Sequence, residues 1–160
     1  MSGRVVGIVG PSGVGKDSIM AGLAKAHEGL SLVKRTITRA PELGGEVYHS
    51  VTEDEFDDLV ANNAFCLHWR AHDLRYGIPV SVVEDVLNGQ QLLVNLSRSV
   101  LLDAEQTFER FEVLNITASE NTVRNRLLAR GRETETEVER RLTRLNFPLP
   151  PGINPIVIEN

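Results

Sequence analysis

Residues Gly10-Pro11-Ser12-Gly13-Val14-Gly15-Lys16 fit the pattern G-x-x-x-x-G-K, the core of a phosphate-cradling loop. The apolar run Val5-Val6-Gly7-Ile8-Val9 leads into it, and Ser18-Ile19-Met20-Ala21-Gly22-Leu23-Ala24 follows as the start of a helix. A strand, a glycine turn and a helix in that order severely restrict the fold. The glycines admit backbone conformations closed to other residues. Consecutive N–H groups can then converge on phosphate oxygens, helped by the positive end of the helix. Lys16 adds a mobile cation for the terminal phosphates. A glycine-rich turn that happens to hold a lysine is the bland alternative, and the flanking elements argue against it. Gly10, Pro11, Ser12, Gly13, Val14, Gly15, Lys16, Asp17 and Ser18 are thus the candidate nucleotide-binding residues.

The residue after the lysine is unusual for this loop. A Ser or Thr hydroxyl normally serves magnesium there, but the chain has Asp17, with Ser18 next. A carboxylate is a hard oxygen ligand that can hold the ion directly or through water. It also complements the helix dipole in the first turn, leaving Ser18 or water to serve the metal. Asp17 and Ser18 are both retained as candidate metal ligands.

At 160 residues and 41% hydrophobic content, the expectation is one domain, 1–160, with a substantial core. No apolar run approaches membrane-spanning length, no signal peptide precedes the first strand, and the cytoplasm is the expected location. The single cysteine, Cys66, allows no internal disulfide and sits in an apolar setting typical of a packed thiol. A net charge of −5 argues against nonspecific nucleic-acid binding. Basic residues are skewed to 14 Arg against 3 Lys. Arginine forks grip phosphates in bidentate fashion, although GC-rich codon usage produces the same bias.

Apolar segments alternate with amphipathic ones. Strands are expected at 4–9, 32–37, 65–69, 91–96, 112–117 and 156–158, and helices at 17–27, 53–62, 80–87, 99–108, 120–129 and 135–145. The runs Leu92-Leu93-Val94 and Ile156-Val157-Ile158 read as strands buried on both faces. Thr52-Glu53-Asp54-Glu55 has the form of a capping box, and Ser119 is placed to cap the helix after it. The alternation predicts an α/β three-layer domain with a mostly parallel central sheet.

Further clues follow the loop in order. Arg35-Thr36-Ile37-Thr38-Arg39 enters a Gly/Pro segment that ends at Glu46-Val47-Tyr48, and Tyr76-Gly77-Ile78-Pro79 comes later. With the phosphate loop, these elements resemble the guanylate-kinase group of nucleoside monophosphate kinases. That resemblance implies a P-loop NTPase fold with an acceptor-binding insertion at about 35–80 and a lid at about 126–141. It also implies that Arg35, Arg39 and Tyr76 hold an acceptor phosphate.

The base-reading positions depart from that group. His68 stands where guanylate kinases carry a guanine-reading carboxylate, and Asn95-Leu96-Ser97-Arg98 replaces an acidic run. Gly-Pro-Ser-Gly-x-Gly-Lys-Asp-Ser, Arg-x-Ile-Thr-Arg and Val-Asn-x-Ser-Arg look like the ribose 1,5-bisphosphate phosphokinases of phosphonate metabolism. Asp17 is normal in that family. This narrower resemblance implies an ATP- and magnesium-dependent enzyme whose substrate is a small phosphorylated sugar. Arg98 would then hold the second phosphate, and His68 would touch the ribose or simply pack.

The segment 120–145 carries Arg124, Arg126, Arg130, Arg132, Arg140, Arg141 and Arg144 among interspersed glutamates. Helical salt bridges account for such a pattern on solvated faces, the expectation for Arg124, Arg140 and Arg144. The resemblance makes Arg130 and Arg132, with Lys16, the catalytic cations, and Arg141 a weaker candidate. Two other readings stay open: a guanylate or other nucleoside monophosphate kinase, which His68 disfavours, and a noncatalytic guanylate-kinase-like binding module, which Lys16 disfavours.

Overall fold

The structure is a computed structural model that describes residues 3–10, 15–41, 47–131, 134–143 and 149–159. The first half of the chain forms strand β1 (Arg4–Val9), helix α1 (Lys16–Ala26), β2 (Leu30–Leu32), β3 (Thr36–Ile37), β4 (His49–Ser50), α2 (Glu53–Ala61), β5 (Phe65–Ala71) and β6 (Leu74–Pro79). The second half forms α3 (Ser81–Leu87), β7 (Gln91–Asn95), a 3₁₀ turn at Arg98–Val100, α4 (Leu101–Thr107), β8 (Phe111–Thr117), α5 (Glu120–Arg130), α6 (Glu135–Leu142) and β9 (Ile156–Glu159).

Five strands build a parallel sheet in the order β2-β7-β1-β8-β9. β1 is central and apolar on both faces, as a strand covered on both sides must be. Val5 and Val9 join one core cluster, with residues of α3, α4 and the second sheet. Val6 and Ile8 join the other, with residues of α1, α5 and α6. These two layers on one sheet are the predicted α/β architecture. Leu92, Leu93 and Val94 of β7 are buried as their run implied.

The second sheet has the order β4-β3-β6-β5, with β6 antiparallel to both of its neighbours. A two-residue turn joins β5 to β6. Its residues His72 and Asp73 have φ of 52° and 61°, the left-handed pair of a tight hairpin. Helix α2 opens with the expected Thr52–Glu55 capping box and is pinned by Phe56. That ring is fully buried, 4.8 Å from Phe65 and 4.3 Å beneath the Arg75 guanidinium. Arg75 also pairs with Asp57 and Glu53 of the same helix.

Three expectations are corrected. The strand expected at 32–37 is two strands in different sheets: β2 pairs with β7, while β3 pairs with β4 and β6. The short strands β4 and β6 were not anticipated. Finally, β9 is not buried on both faces. Ile156 is 57% and Val157 61% exposed, because β9 is the edge of the sheet and successive residues point to opposite sides.

Candidate active site

Gly10 follows the C-terminal end of β1 with φ of 155°, and Gly15, with φ of 87°, caps α1 in the left-handed conformation. Neither conformation suits a residue with a Cβ. The Lys16 ammonium donates to the Gly10 carbonyl at 2.6 Å. The lysine therefore lies across the mouth of the loop between its first and last glycines. Asp17 and Ser18 are exposed in the first turn of α1, where their oxygens are open to a cation. Pro11, Ser12, Gly13 and Val14 lie outside the described residues. What can be seen fits a nucleotide phosphate tail: a glycine-capped helix N-terminus, a lysine over the loop, and hard oxygens beside it.

Two of the predicted acceptor residues, Arg35 and Tyr76, meet where the two sheets adjoin. Arg35, just before β3, is only 5% exposed. Its Nη1 donates to the Asn95 carbonyl at 3.2 Å, and its guanidinium lies 4.9 Å from the centre of the Tyr76 ring. Tyr76 in turn stacks on Trp69, 5.4 Å away and 9° from parallel. Gly77 beside it has a steric reason: a Cβ there would lie 2.5 Å from the Phe65 ring. Arg39, half-buried, is 5.2 Å from the Tyr48 ring, and the Tyr48 hydroxyl donates to the Ala40 carbonyl at 2.5 Å. Tyr48 and Asn95 are contributors that sequence reasoning did not single out. Asn95 acts through its backbone, which leaves no side-chain signature.

Arg98 occupies the 3₁₀ turn after β7, where the Ser97 side chain accepts from the Ser99 N–H. Burial lowers the pKa of its guanidinium. Desolvation penalises the charged form, so an arriving anion has more to offer this cation than one in water. Beside this region, at the end of β8, the Asn115 Oδ1 is buried and makes no hydrogen bond.

In the segment expected to form a lid, Ser119 caps α5 as expected and the left-handed Gly131 ends it. Arg130 is exposed at that terminus; Arg132 and Arg144 lie outside the described residues. Arg124 bonds Glu120 within α5, as expected, but also reaches Glu139 of α6 at 3.0 Å. It ties the two helices together, which the helical spacing alone did not indicate.

His68 packs edgewise against Phe56, with ring centroids 6.4 Å apart, and also neighbours Phe65. It therefore sits beside α2, in the aromatic cluster that pins that helix. The Cys66 thiol is pushed up to about 11 by burial, which suits a packing role. A cavity of about 480 Å³ lies between α1 and the sheet, lined by Val6, Leu23, Leu30, Leu93 and Leu114. It lies toward the opposite end of β1 from Gly10, beside Arg4 and Val6.

Fold and site together define a P-loop α/β protein with a second, four-stranded sheet. The sequence profile of the guanylate kinase family matches residues 2–147, and the chain belongs to that family. Among curated proteins, it is 51% identical over 96% of its length to a ribose 1,5-bisphosphate phosphokinase PhnN from a Ruegeria species, covering 81% of that protein. A protein of the same name from Azotobacter vinelandii is 40% identical over 94% of the chain and is covered to 82%. Among solved structures, a guanylate kinase from Anaplasma phagocytophilum superposes with a TM-score of 0.67 at 19% identity, across 99% of this chain and 77% of that one. This last likeness concerns the fold.

Proposed function

We propose that this protein transfers a phosphoryl group from ATP to the 1-phosphate of ribose 1,5-bisphosphate, giving ADP and 5-phosphoribosyl 1-diphosphate. The observation that carries the reading is the pairing of a P-loop with one arginine, Arg98, in the segment that replaces the acidic run of guanylate kinases. Arg98 stands on the turn after β7, and His68 lies exposed beside the Phe56 and Phe65 rings. The names of the relatives support the same substrate.

The chemistry suits the residues. The attacking group is a phosphate oxygen, already largely ionised because its second pKa is about 6. A general base is therefore not required. The task is to bring two polyanions together and to spread charge in a loose transition state. Lys16 and the loop N–H groups hold the donor phosphates. Arg39 and Tyr76 meet the reacting acceptor phosphate, and Arg98 meets the distal one. Arg130, with Arg132, supplies further positive charge from the lid. Asp17 and Ser18 are placed to hold magnesium, which when bound neutralises donor phosphate charge. The stretch of about 35–80 forms the acceptor-binding part of the molecule.

The test is an activity panel with ATP and ribose 1,5-bisphosphate, ribose 5-phosphate, GMP or AMP. The expected result is selective turnover of ribose 1,5-bisphosphate; faster turnover of GMP refutes the substrate. Lys16→Ala serves as the control. It should abolish transfer and leave the unfolding transition unchanged, since Lys16 belongs to neither core cluster. Near-normal turnover by that variant removes the P-loop from the chemistry.

A further inference from the structure

Arg35 differs from the other arginines of the acceptor region. Arg39 and Arg98 are half-buried, whereas Arg35 is 5% exposed and touches both sheets at once. Its fork donates to the carbonyl of Asn95, the last residue of β7. Its guanidinium carbon lies over the Tyr76 ring, 4.9 Å from the ring centre, on β6 of the second sheet. Tyr76 is flanked on one side by β3, through Ile37, and on the other by Trp69 of β5. Its ring is therefore set between the Arg35 side and the Trp69 stack. Three residues beyond Asn95 comes Arg98, on a turn whose position depends on how β7 ends.

We propose that Arg35 is a positioning residue: it holds the Tyr76 ring, itself only 4% exposed, and the exit of β7, so that Arg98 is presented to the acceptor, and does not itself grip phosphate. The inference rests on the proposed acceptor reading and deepens it. What the position demands is the shape of a guanidinium more than its charge. A planar group covers an aromatic face while an N–H at its edge bonds a carbonyl; lysine, a compact point charge, offers no such plane.

Two replacements separate shape from charge. Arg35→citrulline keeps length, plane and one terminal amino group, which can take the place of Nη1 against the Asn95 carbonyl, but exchanges the other for a carbonyl oxygen and is neutral. Arg35→Lys keeps the charge and loses the plane. The first readout needs no substrate. Trp69 is the sole tryptophan and stacks on Tyr76, so its emission reports the ring's setting. The citrulline variant should keep the wild-type spectrum and Arg35→Lys should change it. The second readout is kinetic. With citrulline the acceptor KM should stay within about threefold of wild type, and with lysine it should rise about tenfold or more, the scale of one hydrogen bond to a charged group. In both variants the KM for ATP should be unchanged.

A third readout tests whether Arg35 acts through Arg98. In the Arg35→Lys background, Arg98→Ala should raise the acceptor KM by less than it does in the wild type, the mark of coupled residues. An acceptor KM raised tenfold or more by citrulline but preserved by lysine overturns the proposal and makes Arg35 a phosphate ligand. Fully multiplicative effects of Arg35→Lys and Arg98→Ala also overturn it. If wild-type protein does not use ribose 1,5-bisphosphate, the substrate reading fails separately. The fluorescence comparison then decides the positioning role alone, and a citrulline spectrum unlike the wild type refutes it.

Discussion

Replacing Gly77 by alanine places a methyl group 2.5–2.6 Å from Cε1, Cδ1 and Cζ of Phe65. Ordinary carbon contacts lie at about 3.5–4.0 Å, so the ring must retreat by about 1 Å. Its path is obstructed, because Phe56 is fully buried and its ring centre is only 4.8 Å away. Overpacking of this kind costs about 1–3 kcal/mol. The opposing gain, a less flexible unfolded chain, is about 0.4–1 kcal/mol. The net expectation is a loss of about 1–2 kcal/mol. For a domain of this size that lowers Tm by about 2–8 °C. Urea unfolding monitored by far-UV circular dichroism measures the change. The acceptor KM should rise as well, because Tyr76 precedes Gly77. Adding Phe65→Leu should recover part of the loss, so the two substitutions should depart from additivity by about 0.5 kcal/mol or more. If Gly77→Ala is as stable as wild type, or if the two substitutions are strictly additive, the Phe65 contact is not what requires glycine.

Arg98→Ala should raise the KM for ribose 1,5-bisphosphate by about ten- to a hundredfold, the worth of a charge-assisted hydrogen bond, and leave the KM for ATP unchanged. An unaltered acceptor KM moves the second phosphate elsewhere, with Arg130 the next candidate. Asn115→Leu removes a buried acceptor that makes no hydrogen bond and should stabilise the protein by about 1 kcal/mol; a loss of stability in urea unfolding shows that the amide has a partner. Because burial holds the Cys66 thiol up at about 11, its folded pKa exceeds the unfolded value. The stabilisation it reflects is complete below the unfolded value of about 8.5 and declines as pH rises toward 11. Iodoacetamide should accordingly label Cys66 far more slowly in native protein than in urea at pH 8; equal rates contradict the burial.

Features governed by neighbours in sequence were legible before the structure. β1, the glycine turn, the Thr52–Glu55 box and the Ser119 cap each depend on a few adjacent residues. Features governed by distant partners were not. Residues 33–35 interrupt one apolar run only because β2 pairs with β7 and β3 with β6. β6 alternates Leu74, Tyr76 and Ile78 with Arg75, Gly77 and Pro79, but its glycine and proline read as turn residues, and a turn built on His72-Asp73, without glycine, concealed its hairpin. Burial of Ile156 and Val157 was inferred from their apolar character, which says nothing about whether a layer covers them. In the site, the order of arginines and Tyr76 suggested an acceptor region. That Arg35 spans two sheets is a tertiary fact, carried by a backbone carbonyl and an aromatic face.

The strand order has a consequence for synthesis. β1 is the first strand to be made, yet both of its partners, β7 and β8, begin at Gln91 and Phe111. At about 5–20 residues per second, the ribosome needs about 4–17 s to travel from Arg4 to Gln91. The β5–β6 hairpin needs no later residues, and hairpins close in about 1–10 μs. The sheet that would select the acceptor can therefore begin to assemble while the strand leading into the nucleotide loop is still an unpaired apolar segment. For those seconds Val5, Val6, Ile8 and Val9 form a sticky nascent stretch suited to a chaperone, and the phosphate loop has no floor to stand on.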